Sequence, residues 1–353
     1  MKPRLLVVEL HHLGDAVLSL PFIRGAARTH EVHVLARPAT RGIYELLADP
    51  PKVHTWEPPW ADGQDCSASS AISAARIEGQ VLRPLELDAA ACVWADTRAE
   101  VVMAETRARQ RIGFPMTREN YYATDIPWRR QRRLSGRLLE MMWSAWPGCH
   151  PLLTVTLQRE TPNQSHLRCW EQIADALGIS CDFSTPWFPA STRSAHTGKP
   201  VLAIHAHARL PSKQWPLDRW KQLLSSAMVR EKFSLVEILP PGAEPAAPDS
   251  GLTIRTPTIS DLVAALDAAD FVLCHDSLPA HLGAALGKPV VSIFGSGEPD
   301  WFAPWQNRDR VVQRRVCPLH PCIDHCGMDR YLCLESIPVD DVATQLLALP
   351  RHP

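Results

Sequence analysis

The stretch from Phe271 to Ser296 (FVLCHDSLPAHLGAALGKPVVSIFGS) constrains this chain more than any other. An apolar run, Phe271-Val272-Leu273, precedes a polar break, Cys274-His275-Asp276-Ser277. Pro279 to Leu286 has helix spacing, Gly287 stops it, and Val290 to Phe294 is a second apolar run. That succession is one βαβ unit. Its polar residues gather at the carboxyl end of the first strand, where open α/β sheets bind ligands. Side chains, free N–H groups and the positive end of the helix dipole converge there. Asp276 or Ser277 can cap the helix, and Pro279 suits its first turn. The same spacing also fits a plain capped helix in an α/β core.

The pattern recurs at the other end of the chain. Arg4 to Leu10 reads as a strand, His11-His12-Leu13-Gly14-Asp15 as a turn, and Ala16 to Arg28 as a helix with Val17, Leu20, Ile23 and Ala27 on one side. Glu31 to Ala36 is the next strand and Ala39 to Leu47 the next helix. Gly14 allows a tight turn and close approach to a ligand. Asp15 is either the helix cap or a carboxylate aimed into a cleft. Residues 57–90 are weakly patterned and hold a loop and a short helix. Ala91–Ala95 reads as a strand, Arg98–Arg109 as a helix, and Arg111–Phe114 as the last strand of this half.

Arg129, Arg130, Arg132 and Arg133 follow, with Arg137 close behind. They form either a solvated helix face or a docking surface for a phosphorylated or carboxylated acceptor, which guanidinium grips in bidentate fashion. Leu167–Leu177 is a helix stopped by Gly178. Residues 186–200 (PWFPASTRSAHTGKP) are rich in proline and small polar residues and read as a linker. Beyond it the pattern restarts, with strands at Val201–His205 and Phe233–Leu239 and helices at Pro216–Met228 and Asp261–Ala268. Ile337–Leu349 is a closing helix. Two similar α/β halves are expected, with their polar strand ends lining one cleft.

Composition narrows the function. At 353 residues the chain has room for two domains, and 45% hydrophobic with 21% charged residues is globular usage. A formal net charge of −1 argues against a general nucleic-acid binder, so any anion site is local. No apolar run reaches the roughly 18 residues of a membrane span. The N-terminus enters a strand at once, without a cleavable signal pattern, so the cytoplasm is the expected location. Ten cysteines there do not imply a disulfide framework. Cys317, Cys322, Cys326 and Cys333 crowd together in the spacing C-x4-C-x3-C-x6-C, which supplies the ligand count of a tetrahedral zinc or iron site. His320 and His325 are substitute ligands, and four reduced thiols without metal fit the spacing equally.

Several motifs in order resemble glycosyltransferase family 9, the heptosyltransferases that use ADP-heptose. Leu13-Gly14-Asp15 with Leu18-Ser19-Leu20-Pro21 resembles its LGD…TLP signature, and Lys213-Gln214-Trp215-Pro216 its K-x-W-P element. Leu239-Pro240-Pro241-Gly242-Ala243-Glu244 resembles the LP-x-G-x-E turn. Asp276-Ser277 with His281, Ala284-Ala285-Leu286-Gly287 and Phe294-Gly295 resembles D-[ST]-G-x-x-H…ALG…FG. Cys317–Cys333 is similar to the family's cysteine-rich segment, and autotransporter-modifying members are thought to hold iron through such a set. Leu278 departs from the family's usual glycine, and Glu9 stands where a basic residue is common.

The resemblance implies a GT-B fold, two Rossmann-like domains facing a central cleft. Residues 1–185 would form the acceptor side, 186–200 the linker and 201–334 the nucleotide-sugar side with its Cys-rich segment 317–333. Residues 335–353 would return to pack on the N-terminal half. It further implies an inverting enzyme without a catalytic metal that moves heptose from ADP-heptose to a lipopolysaccharide core, other glycan or protein hydroxyl. Asp15 would be the general base. Lys213 would meet the leaving diphosphate, helped by Ser277 and the amides after it. Asp276 and His281 would bind sugar hydroxyls or orient phosphates, Glu244 would accept the ribose hydroxyls, His205 and His207 would line the phosphate site, and Gly14 would count among the donor-binding residues. Arg129, Arg130, Arg132 and Arg133 would meet the acceptor, with peripheral contact at the inner membrane if that acceptor is core lipid. The cysteines would hold a structural Fe or Zn. An autotransporter-type protein heptosyltransferase, a nucleotide-sugar epimerase on the same fold and a non-catalytic nucleotide-sugar-binding scaffold are the alternatives.

Overall fold

The computed structural model describes the chain apart from residues 62–63, 118–126, 147, 149–150, 162–163, 189–197, 248–250, 324–325 and 351–353, and the side chains of 127–135. The chain divides into two compact units, Met1–Phe183 and Ser184–Pro353.

The first unit runs β1 (Arg4–Glu9), α1 (Leu13–Ala26), β2 (Glu31–Ala36), α2 (Arg41–Tyr44), β3 (Lys52–Thr55), α3 (Ala68–Val81) and β4 (Ala89–Cys92). It continues with α4 (Thr97–Thr106), β5 (Gln110–Gly113), α5 (Pro127–Ser144), β6 (Val155–Thr156) and α6 (His166–Leu177). Its strands form one parallel sheet in the order β3-β2-β1-β4-β5-β6. Helices cover both faces of such a sheet, so a central strand is apolar throughout instead of alternating. Leu5, Leu6, Val7 and Val8 are accordingly all buried.

The second unit runs β7 (Val201–His205), α7 (Leu217–Ser225), α8 (Ala227–Lys232), β8 (Ser234–Leu239), β9 (Leu252–Arg255), α9 (Ile259–Asp267) and β10 (Phe271–His275). Then come α10 (Leu278–Ala285), β11 (Val290–Phe294), α11 (Pro299–Phe302), β12 (Val311–Gln313), α12 (Leu332–Glu335) and α13 (Val339–Ala348). Its sheet is also parallel, ordered β12-β11-β10-β7-β8-β9. Counted within the unit, that is the same order as in the first. Both sheets are doubly wound, and each reverses direction between its first and fourth strands.

Several elements differ from the sequence reading. Each sheet gains short edge strands (β3, β6, β9, β12) that carry too few apolar residues to announce themselves. The predicted helix 216–228 breaks at Ser226, whose extended backbone (φ −61°, ψ 128°) ends α7 and begins α8. Within the weakly patterned 57–90 region, α3 is a full helix capped by Ser67, whose Oγ accepts from the Ser70 N–H at 3.1 Å. The linker reading does not hold for its first residues. Trp187 and Phe188 are buried, and Trp187 N–H donates to the Ala285 carbonyl, so two large aromatics anchor the segment to the second unit. The closing helix α13 buries Val342, Ala343 and Leu346 in the second unit's own core, beside Trp215, Trp220 and Phe271.

Candidate functional site

In each unit the chain leaves neighbouring strands in opposite directions where the order reverses, and ligands bind at the carboxyl ends of those strands. In the first unit this point lies at the ends of β1 and β4. Asp15 is the third residue of α1, 8% exposed, and its Oδ2 accepts from the His12 N–H at 3.0 Å. Its Oδ1 lies 3.9 Å from Nδ1 of His166, the first residue of α6. Asp15 is therefore not the helix cap itself, which is His12, but its carboxylate closes the first turn by accepting from the cap residue's N–H. Gly14 sits within the first helical turn instead of a tight turn before it, because α1 begins at Leu13.

Glu9 closes β1 fully buried and accepts from the His11 N–H at 3.1 Å. Burial pushes its carboxyl up to about 8, against the lowering pull of His11 and Trp94. Trp94, just past β4, stacks on His11 (4.0 Å, 19°) and meets His166 edge-to-face at 4.2 Å. Asp96 takes three hydrogen bonds from Arg98, through the backbone N–H, Nε and Nη2. Burial would raise its carboxyl, but Arg98 overrides that and holds it at about 2. The side chains of Arg129, Arg130, Arg132 and Arg133 lie outside the described residues, although their backbone belongs to α5.

The matching point of the second unit lies at the ends of β7 and β10. Lys213, on a short turn after β7, places Nζ 3.0 Å from Oδ2 of Asp276, which is 3% exposed at the end of β10. His281 lies within reach of both charges. Burial first, and then Lys213, pushes it down to about 4 against the pull of Asp276, so it is neutral near pH 7. His205 donates through Nδ1–H to the His207 carbonyl (3.0 Å), and burial takes it to about 4 as well. Ser277 precedes α10 without capping it; its Oγ donates to the His275 carbonyl at 3.3 Å. The first-turn amides of α10 thus lack a side-chain cap, the arrangement that suits an anion. Glu244 is on the surface, 3.9 Å from Arg255, beyond a turn in which Gly242 takes φ 75°. That left-handed conformation is what the glycine supplies.

Three contributors at these edges lie outside the motifs. His275 is buried and accepts both the Trp215 N–H (2.9 Å) and the Trp220 indole N–H (3.3 Å). Burial drives it down to about 3, which keeps it the acceptor that ties the Lys213 turn to β10. Gly297 approaches Asp276 so closely that an added Cβ would stand 2.3 Å from Oδ2. The third is His166. The polar break in the sequence pointed to His275, but no local signal pointed to Gly297 or His166, whose importance comes only from distant chain segments.

Cys322 and Cys333 are buried and Cys317 and Cys326 half-buried. Burial, then its three thiol neighbours, pushes Cys322 up to about 12. The thiols therefore share one neighbourhood, in which Cys322 stays protonated. Among the described residues, however, no group of three or more Cys, His, Asp or Glu is arranged to hold a metal. His320 Nε2 lies 3.1 Å from the Gly297 carbonyl and is committed there, and His325 lies outside the described residues. No described helix is long and apolar enough to cross a membrane.

Residues 250–331 match the model of "Glycosyltransferase family 9 (heptosyltransferase)". Lipopolysaccharide heptosyltransferase 3 of Escherichia coli (strain K12) is 24% identical over 160 residues, 41% of this chain and 40% of that protein. A second Escherichia coli lipopolysaccharide heptosyltransferase 3 is 38% identical over 50 residues, 14% of this chain and 15% of its own. The chain thus spans less than half the length of these curated relatives. Among solved structures, E. coli heptosyltransferase WaaC with ADP superposes with a TM-score of 0.66 at 15% identity, covering 97% of this chain and 98% of that one. The glycosyl transferase family 9 protein of Veillonella parvula gives 0.61 at 15% identity over 88% and 85%. These likenesses establish the fold, two parallel doubly wound sheets of the GT-B kind.

Proposed function

We propose that this chain, a glycosyltransferase family 9-like protein, transfers heptose from ADP-heptose to a hydroxyl of a lipopolysaccharide core or other glycan or protein acceptor, with inversion at the sugar carbon. The observation that carries this reading is the Lys213–Asp276 pair at the uncapped start of α10, at the strand-order reversal of the second sheet. A lysine fixed by a buried carboxylate, beside helix amides that accept an anion, suits a departing diphosphate. The family model covers the Asp276 half of that site, and WaaC, whose structure contains ADP, shares the fold.

In this reading the acceptor oxygen attacks the sugar carbon as the bond to the diphosphate breaks. The acceptor's proton passes to Asp15, and the negative charge that leaves with ADP meets Lys213 and the α10 amides. Asp276 orients Lys213, and neutral His281 offers a hydrogen bond without adding charge. Arg129, Arg130, Arg132 and Arg133 belong to acceptor recognition, with peripheral contact at the cytoplasmic membrane face if the acceptor is core lipid. Cys317, Cys322, Cys326 and Cys333 take one structural Fe or Zn, with no part in the transfer.

Calorimetric titration with ADP, UDP and GDP, without added metal, tests the donor. Selective ADP binding that Lys213→Ala weakens at least about tenfold is expected, the scale of a lost charge-assisted bond. Preference for UDP or GDP overturns the donor, and indifference to Lys213→Ala overturns the site. Elemental analysis of freshly purified protein is expected to find about one Fe or Zn per chain. A metal-free, folded protein removes that part of the reading.

A further inference from the structure

Asp15 and His166 come from helices far apart in sequence, and the packing holds those helices together. α1 carries Asp15 and, two turns on, Phe22; α6 carries His166 and, one turn on, Trp170. Phe22 and Trp170 stack at 4.9 Å and 21°, so the two helices are clamped just below the pair. Ser165 fixes the start of α6, its Oγ accepting from the Arg168 N–H at 3.3 Å. Trp94 packs its ring against the imidazole, and His11 backs Trp94. His166 is 0% exposed, whereas Asp15 is 8% exposed. That difference divides the roles: Asp15 keeps access to a reactant, and the imidazole is sealed behind it. A ring that only filled this space would be apolar, because burying a polar one is costly unless it has something polar to face.

We propose that His166 is a positioning residue for Asp15, holding the carboxylate in one orientation and favouring its ionised form from behind. The inference deepens the reading of Asp15 as base and takes its catalytic meaning from it. Other titratable or charged groups around the pair are Glu9 from β1, His11 and His12 from the following turn, Tyr44 from α2, and Asp96 with Arg98 at the start of α4. Glu9 and Tyr44 lie on the acidic side; the His12 N–H holds Oδ2, and the imidazole is the side chain placed at Oδ1.

The test is a carbon-13 NMR titration of the Asp15 carboxyl in the full chain, the resonance assigned by its loss in Asp15→Asn. His166→Phe is expected to raise the midpoint by about one pH unit or more, and His166→Gln, which keeps an N–H, to stay near wild type. An unchanged midpoint in His166→Phe overturns the proposal. Should that variant fail to fold, the nitrogen-15 titration of His166 in Asp15→Asn decides: its midpoint falls if the pair is coupled and stays put if it is not. ADP-heptose turnover against pH then separates the two layers. A moved carboxyl with an acid limb that moves equally supports positioning, and a moved carboxyl with an unmoved limb makes the pair merely structural. A wild-type chain that turns over no ADP-heptose counts against the donor reading, while the NMR result still decides the pair.

Discussion

The two units repeat one strand order and put their polar residues at the same topological point, yet they fill it with opposite chemistry. At the β1/β4 point the buried groups are acidic and walled by rings: Glu9, Asp15, Trp94, His11 and His166. At the β7/β10 point a lysine is locked to an aspartate among histidines held neutral by burial. Topology therefore decides where a site forms, and the few residues after each strand decide what it does. A carboxylate with little charge around it suits taking a proton. A fixed cation beside open helix amides suits holding a group that departs as an anion, such as a diphosphate.

The largest expected effect separates the two points by readout. Asp15→Asn should lower turnover about 10²-fold or more, the usual scale for a lost general base, and leave ADP affinity unchanged. The amide oxygen still accepts from the His12 N–H, so α1 keeps its first turn. Lys213→Ala should do the reverse and strike nucleotide binding first. Steady-state rates and ADP titrations on both variants check the crossing. If Asp15→Asn loses affinity and rate together, the first point is a structural cap and the contrast between the units disappears.

How much of this was legible depends on the range of the interactions. The strand–turn–helix units around Asp15 and Asp276 could be read because an apolar strand, a polar break and a helix start are local features. Asp15, Asp276 and Ser277 were picked out at the end of a strand or the start of a helix, and Lys213 on the turn between β7 and α7. Lys213 and Asp276, distant in the chain, meet at 3.0 Å. Ser277, one of the two candidate caps, does not cap α10, since its hydroxyl turns back to the His275 carbonyl. Glu9 was noticed only as a departure in charge; that it is sealed and protonated follows from the sheet closing over it. His166 and Gly297 act through contacts across long sequence separations, which no spacing rule carries. Short edge strands escaped for a different reason: at two to four residues each they are too short for a periodic pattern to show.

A smaller effect sharpens the contrast through pH. Glu9 ionises near 4.5 in an unfolded chain but is held at about 8 when folded, by burial above all. Between those values the unfolded state has released a proton that the folded state keeps. The first unit therefore loses stability as pH rises, by at most about 1.4 kcal/mol per pH unit. His205 and His281 tilt the second unit the other way. Pushed by burial from 6.5 to about 4, they stay neutral while the unfolded chain takes up protons, so stability is lost as pH falls below 6.5. Glu9→Gln copies the protonated acid and still accepts from the His11 N–H. It should leave the melting temperature near wild type at pH 5 and raise it by several degrees at pH 8, on the order of 3 kcal/mol. Thermal melts across that range check it. Parallel curves for variant and wild type would mean that Glu9 is ionised in the folded chain, and the end of β1 would then bury a charge that the His11 N–H and Trp94 offset.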